Sequence, residues 1–316
     1  MILNKLRKIN STEVVSFVLA AYGNIRDLKY LYFTIMLLWY LSICVANTFL
    51  IMVIFLDKRL HEPMYILLCN LFVNEIGGST ALYPLLLTQM FSDTHEVTLP
   101  WCFLQMCYLY ICGSVEFCSF AAMAYDRYVA ICYPLHYNVI MNTGRVAIII
   151  LLVWMYSFVN CMFAFSFVIR LKLCGNVIDK VFCDHHLIIK LACSVSVLNS
   201  ISDLLFAFVT MVMPFGLISV SYMKILAVCL NTTKDNKQKA ISTCTPQLVS
   251  LSNMFVGCIF HFVDPRIDTA HVPDKVRIIL SVYLLICQPV ITPFIYGFNQ
   301  TNIRQSCKRF LLSKNK

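Results

Sequence analysis

The stretch Met123-Ala-Tyr-Asp-Arg-Tyr-Val-Ala-Ile-Cys132 closes a long apolar run and sets an acid and a base, Asp126 and Arg127, side by side in its last turns. A charge is costly inside a bilayer and is tolerated at a helix end, facing a bundle interior or beside a partner. The segment that follows, Tyr133-Pro-Leu-His136, reads as a loop, so the pair marks the water boundary of a membrane-spanning helix. Taken alone, these residues also fit an arginine that snorkels to lipid headgroups.

The rest of the chain supports a membrane reading. Of 316 residues, 59% are hydrophobic and only 13% charged, against about a quarter charged in soluble domains. The formal charge of +9 is scattered among loops rather than gathered in a block, which excludes a nucleic-acid partner; membrane lipid headgroups and a cytosolic partner account for it. Most of the sixteen cysteines fall within apolar runs and behave as small buried hydrophobes. The opening Met1-Ile-Leu-Asn-Lys-Leu-Arg-Lys has basic residues but no long apolar core after it, so no cleavable signal peptide is expected.

About 20 predominantly apolar residues cross the hydrocarbon core as a helix. Seven stretches qualify: 30–56, 63–90, 101–132, 144–168, 199–230, 240–263 and 276–298. The expected fold is an all-α membrane protein, a seven-transmembrane helix bundle at 30–298, with a tail at 1–29 and a short amphipathic helix and tail at 299–316. In that last segment Ile303, Phe310 and Leu311 oppose Arg304, Lys308 and Arg309, a pattern suited to the inner leaflet. Cys307 there is a candidate for palmitoylation, and an unmodified cysteine fits equally. Basic residues divide almost evenly between the two sides and do not set the orientation. The sequon Asn10-Ser-Thr and the cysteines Cys102, Cys174, Cys183 and Cys193, all on the tail's side, favour an external N-terminus. Prolines 84, 214, 246, 289 and 293 interrupt the spans and kink helices unless neighbours satisfy the freed carbonyls.

These residues resemble the rhodopsin-like G-protein-coupled receptors and, within them, the odorant receptors, over nearly the whole chain. The opening stretch continued through Tyr133-Pro-Leu-His-Tyr137 is similar to that family's third-helix end. His61-Glu-Pro-Met-Tyr-Ile-Leu-Leu-Cys69 is similar to its signature before the second helix, Lys239-Ala-Ile-Ser-Thr-Cys-Thr-Pro-Gln-Leu248 to its signature opening the sixth, and Pro293-Phe-Ile-Tyr296 to its seventh-helix motif. Leu60-His-Glu-Pro-Met-Tyr and Asn74-Glu75 look closer to fish-type members than to most mammalian ones. Three departures stand out: Thr292-Pro293 where the family has Asn-Pro, Glu75 where the wider class has Asp, and Gln247 where mammalian members often have His.

The resemblance implies a receptor of the plasma membrane, its N-terminus extracellular, that binds a small-molecule odorant and activates a heterotrimeric G protein of the stimulatory, olfactory type, raising cyclic AMP. Its coupling and switch residues would be Asp126, Arg127, Tyr128, Tyr222, Lys239 and Tyr296, with Arg127 paired to Asp126 at rest and released on activation. It implies disulfides Cys102–Cys183 and Cys174–Cys193, where four cysteines by themselves allow three pairings. It places the ligand pocket at Leu109, Tyr110, Gly113 and Ser114, at Phe206, Ala207 and Thr210, and at Phe255, Cys258, Ile259 and Phe262. Residues of these types at helical spacing also fit plain packing. Asp203 fits either recognition of an amine or a solvated helix end.

Glu75 and Glu116 lie mid-span, and the resemblance turns both into the bundle near Asn47, Ser119 and Thr292. Two such carboxylates either hold a cation, with sodium the fitting ion, or keep a proton in a hydrogen-bond network. No other cofactor is expected. His185 and His186 beside Asp184 read as a solvated loop surface rather than a metal site, since adjacent histidines need further ligands. The alternatives to an odorant receptor are an ectopic chemoreceptor for a metabolite or peptide and a transporter of ions or solutes, which the lack of internal repeats weakens. No nucleophile–base pair rises above chance, so an enzyme is not expected.

Overall fold

Every predicted span is a helix in the computed structural model, which describes residues 14–24, 28–194, 197–230, 233–263 and 274–313. The helices are α1 (Lys29–Leu56), α2 (Pro63–Gln89), α3 (Leu99–Cys132), α4 (Thr143–Val168), α5 (Val197–Leu230), α6 (Lys234–Val263), α7 (Asp274–Asn299) and α8 (Thr301–Ser313). Local chemistry sets their ends. α2 begins on Pro63, at a position where a missing N–H costs nothing. Asn142 caps α4 by accepting the Arg145 amide at 2.9 Å, satisfying one of the helix's orphan donors. α6 starts at Lys234 rather than at 240, because its first turns are polar and a search for apolar runs does not see them.

Prolines shape the helix interiors. Pro293 has no N–H to offer the carbonyl of Pro289, and the fully buried Asn47 of α1 donates to that carbonyl at 3.0 Å. In α5, Pro214 cannot bond the carbonyl of Thr210, and the helix widens into a π turn at Phe208–Val212 just upstream. Tyr156 of α4 donates to the carbonyl of Val209 there at 2.8 Å. The irregular backbone is thus satisfied by neighbouring helices, as a low-dielectric surround demands.

α3 lies at the centre. Its 34 residues span about 50 Å at the helical rise, more than the hydrocarbon core of about 30 Å. Its buried positions include Cys102, Met106, Leu109, Val115, Phe120 and Met123. They join two apolar cores, one with Phe17, Tyr83 and Phe182 toward the disulfide end, the other with Phe72, Met254 and Tyr296 toward the Asp126 end. Outward faces carry large exposed apolar residues such as Phe55, Leu151, Leu204 and Met223, the surface a bilayer covers. Among the described residues, α1, α3, α4 and α5 each hold a window long and apolar enough to span it.

The tail folds more than an apolar-run reading predicts. β1 (Ser16–Leu19) pairs antiparallel with β2 (Glu96–Thr98) and parallel with β3 (Val177–Ile178), in the order β2-β1-β3. Phe17 and Leu19 alternate with Ser16 and Val18, and the first two are fully buried. Tyr22 donates to the carbonyl of Val181 at 2.9 Å, so tail and long loop form one cap. At the other end, α8 turns back along α1. Ile303 is buried, Phe310 packs edge-on to Phe49 at 6.1 Å, and Asp57 accepts from Ser306 Oγ at 2.7 Å and from Arg309 Nη2 at 2.9 Å. The Ser306 hydrogen bond above all, aided by the Arg59 amide and the Arg309 charge, holds the Asp57 carboxyl below its ordinary range.

Candidate functional site

The last turns of α3 hold a charge network. Arg127 Nε donates to Asp126 Oδ2 at 3.0 Å, and Nη2 donates to the same oxygen. The Tyr137 hydroxyl takes the other oxygen, Oδ1, at 2.8 Å. Asp126 is fully buried and the Arg127 side chain only 13% exposed, so the snorkelling alternative is overturned: the guanidinium points to a carboxylate, not to headgroups. Burial, then the Asp126 charge, raise the Tyr137 phenol above its usual range, keeping it a donor.

Beside this network are two buried hydroxyls, of Tyr222 on α5 and Tyr296 on α7, with no hydrogen-bond partner among the described residues. Tyr222 and Tyr128 pack against Ile225, Cys229 and Cys244, a small cluster joining α5 to α6, and the Tyr128 hydroxyl reaches that of Tyr133 at 3.4 Å. Lys239 belongs to the opening turns of α6; its side chain lies outside the described residues.

The middle of the bundle is polar. Glu75 and Glu116 are both buried and within electrostatic reach of each other. Thr292 Oγ1 lies 3.4 Å from Glu75 Oε1 and 3.3 Å from Ser250 Oγ. Gln288 donates to Ser250 Oγ at 3.2 Å and accepts from Asn253, which accepts in turn from Tyr283 at 2.7 Å. One polar chain therefore runs along α6 and α7 to the α2 carboxylate. Thr292 is where the sequence placed it. Asn47 instead serves the proline kink, and Ser119 accepts the amide of Asn70 at 3.0 Å. Ser250, Asn253 and Gln288 were missed, since each is a single polar residue in an apolar run and only the helix register brings them together.

Oxygen donors dominate this centre, and the Glu116 Oε1, Ser79 Oγ and Ser114 Oγ atoms are buried without partners among the described residues. Hard oxygen ligands of that kind fit a sodium ion; an acid sharing a proton fits the same atoms.

At the opposite end Cys102 is bonded to Cys183 and Cys174 to Cys193, with Cα separations of 5.4 and 4.8 Å. Gln105 accepts the Cys183 amide at 3.2 Å, fixing the loop on α3. The buried pair Lys180–Asp184 spans 3.0 Å, and Asp184 also caps the turn His185–Lys190 by accepting the Leu187 amide. This corrects the expectation of a solvated surface at His185 and His186. His185 is 4% exposed, and both histidines face Asp203 of α5, each with Nδ1 3.3 Å from a carboxylate oxygen. Asp203 is accordingly no solvated helix-end acid.

The expected pocket residues come together in part. The Tyr110 ring lies 5.7 Å from that of Phe206 and 5.6 Å from His185, with Leu109, Ser114 and Cys258 buried in the bundle and Ala207 partly buried on α5. A Cβ at Gly113 would meet nothing within 4 Å, which marks open space at this level. Three positions differ from expectation. Thr210 accepts from Asn160 of α4 at 2.8 Å, so its hydroxyl is engaged away from the pocket. Phe255 and Ile259 are 48% and 44% exposed, one residue off the inward stripe Cys244, Leu251, Met254, Cys258; Phe255 stacks on Phe215 at 5.5 Å. The Phe262 side chain and Asn10 lie outside the described residues. Cys307 is half-buried against the core, and burial raises its thiol pKa, which disfavours the thiolate.

Seven helices around a polar centre, a disulfide-tied cap at one end and a buried Asp-Arg pair at the other define a rhodopsin-like membrane receptor. The backbone matches squid rhodopsin with a TM-score of 0.75 over 90% of this chain and 85% of that one, at 15% identity, a likeness of fold. The olfactory receptor family pattern matches residues 35–314. Olfactory receptor 1E16 of Mus musculus is 32% identical over 303 residues, 95% of each chain. Olfactory receptor 2C3 of Homo sapiens is 31% identical over 310 residues, 98% of this chain and 95% of that one. The chain belongs to the olfactory receptor family. It is a multi-pass plasma-membrane receptor that senses odorants and couples to a G protein, not an enzyme, in a class that needs no cofactor.

Proposed function

We propose that the receptor presents its tail and disulfide cap outside the cell, takes its odorant beside Tyr110 and Phe206, and engages the stimulatory, olfactory-type G protein at the Asp126–Arg127 end, raising cyclic AMP. The observation that carries this reading is the Asp126–Arg127–Tyr137 network beside two unpartnered tyrosine hydroxyls. A buried phenol without a partner costs free energy, so a second arrangement, with Arg127 released toward Tyr222 and Tyr296, has stabilisation waiting for it. A ligand moves such an equilibrium only through its different affinity for the two states. Lys239 and Tyr128 flank the surface opened to the G protein. Asn10 carries a glycan on the outer side, and α8 rests on inner-leaflet lipids.

Glu75 and Glu116, with Thr292, hold an inhibitory sodium ion in the resting arrangement. Replacing Glu116 by Gln removes one of the two charges, so agonist potency, which falls with sodium in the wild type, becomes insensitive to it in Glu116→Gln. Potency that ignores sodium in both proteins would sink the ion in favour of a shared proton. The function itself is tested by screening an odorant panel against receptor-expressing cells with a cyclic AMP reporter. Responses that need the stimulatory G protein support the reading; responses that persist without it contradict it.

A further inference from the structure

We propose that His185, His186 and Asp203 form a binding site for a divalent transition-metal ion, zinc or copper by its chemistry, which ties the long loop to α5. Two imidazole nitrogens and a carboxylate are borderline donors that suit these ions better than sodium, calcium or magnesium. The spacing also fits. Bonds of about 2.0–2.2 Å to a tetrahedral metal put neighbouring ligand atoms about 3.3–3.5 Å apart. His185 Nδ1 lies 3.3 Å from Asp203 Oδ1 and His186 Nδ1 3.3 Å from Asp203 Oδ2; one ligand atom from each residue falls within 4.8 Å of the other two, a set that a small rotation of the side chains closes onto one ion.

The second observation is the state of His185. Its side chain is 5% exposed, yet neither ring nitrogen is in hydrogen-bond geometry with a described residue. The imidazole's Nδ1 faces Asp203 at 3.3 Å, and its Nε2 is buried with no partner among the described residues. The rings of Tyr110 and Phe206, at 5.6 and 6.1 Å, hold it in place. The Asp184 cap on the turn's first N–H groups and the Cys102–Cys183 bond fix the backbone that presents both histidines. Adjacent histidines make a poor chelate without a third ligand, and Asp203 supplies it from another helix. Three protein ligands leave one tetrahedral position for water.

Metal at this site crosses from loop to helix, so it stabilises the cap by mass action. Occupancy does not depend on which odorant or G protein the receptor uses, and the test therefore uses no agonist. Purified full-length receptor is titrated with cobalt(II), whose visible ligand-field bands report on the donors, and the cobalt is then displaced with zinc. The expected result is one equivalent bound with nitrogen and oxygen donors and no thiolate charge-transfer band. Affinity should fall about tenfold or more in Asp203→Asn and His186→Ala and stay unchanged in Asp93→Asn, an exposed acid at the same end. His186 is partly exposed, so His186→Ala decides the matter if Asp203→Asn fails to reach the cell surface. No binding, a thiolate band, or wild-type affinity in His186→Ala would each overturn the site.

Discussion

The two ends of α3 are held by different kinds of bond. At Cys102 the helix is joined covalently to Cys183, with Gln105 gripping the same loop residue. At the other end the Asp126–Arg127 pair lies within α3 itself, beside the apolar packing of Phe120 and Met123, and the Tyr137 hydroxyl ties it to the following segment through a hydrogen bond to Asp126. One end is a fixed anchor and the other a clasp that opens without breaking the chain. A helix pinned at one end and clasped at the other can pass a small displacement at the pocket level, where Tyr110 and Phe206 meet, to the far end, and the polar chain from Tyr283 to Glu75 lies between the two.

Breaking the anchor has the largest expected effect. Cys102→Ser removes a crosslink worth about 2–5 kcal/mol and unfastens the cap, so surface expression collapses; normal surface levels measured by flow cytometry would show that the anchor is dispensable. Loosening the clasp acts more gently and in the opposite sense on signalling. Tyr137→Phe deletes one hydrogen bond to a charged carboxylate, about 1.5–3 kcal/mol, with little change in shape. Basal cyclic AMP should rise several-fold at unchanged surface level; a fall would mean that Tyr137 supports the active arrangement instead.

The smallest effect is expected at Asp57, a clasp of the same type on the solvent side of α8. Its carboxyl is held below the ordinary value, so its contribution is present at neutral pH and fades only as pH drops below about 3.9 through the lowered folded value. The Asp57–Arg309 contact is partly exposed, and such pairs contribute about 1 kcal/mol or less. Asp57→Asn should lower the melting temperature slightly at pH 7 and abolish its acid-dependent part; a melting curve with the same acid dependence in both proteins would assign it elsewhere.

What could be read in the sequence followed from scale. Spans of 20 or more apolar residues announce themselves, and the Asp126-Arg127 pair is conspicuous because charge there is rare. Features that need register were hidden. Ser250, Asn253 and Gln288 meet Thr292 and Glu75 only when α6 and α7 pack at one rotation. His185 and His186 looked solvated because their third partner, Asp203, lies on a different element. β1 was overlooked because four residues, Ser16–Leu19, are too short to register as a pattern. The anchor was legible only through family resemblance, whereas the clasp was visible as local chemistry.

The most direct measurement is odorant-stimulated guanine-nucleotide exchange in membranes carrying Arg127→Ala, with receptor at the surface counted in the same cells. The account predicts normal surface numbers and no exchange above background, at odorant concentrations that saturate the wild type. Full odorant-driven exchange in that variant would contradict it, leaving the buried pair a structural contact and the output of the receptor elsewhere.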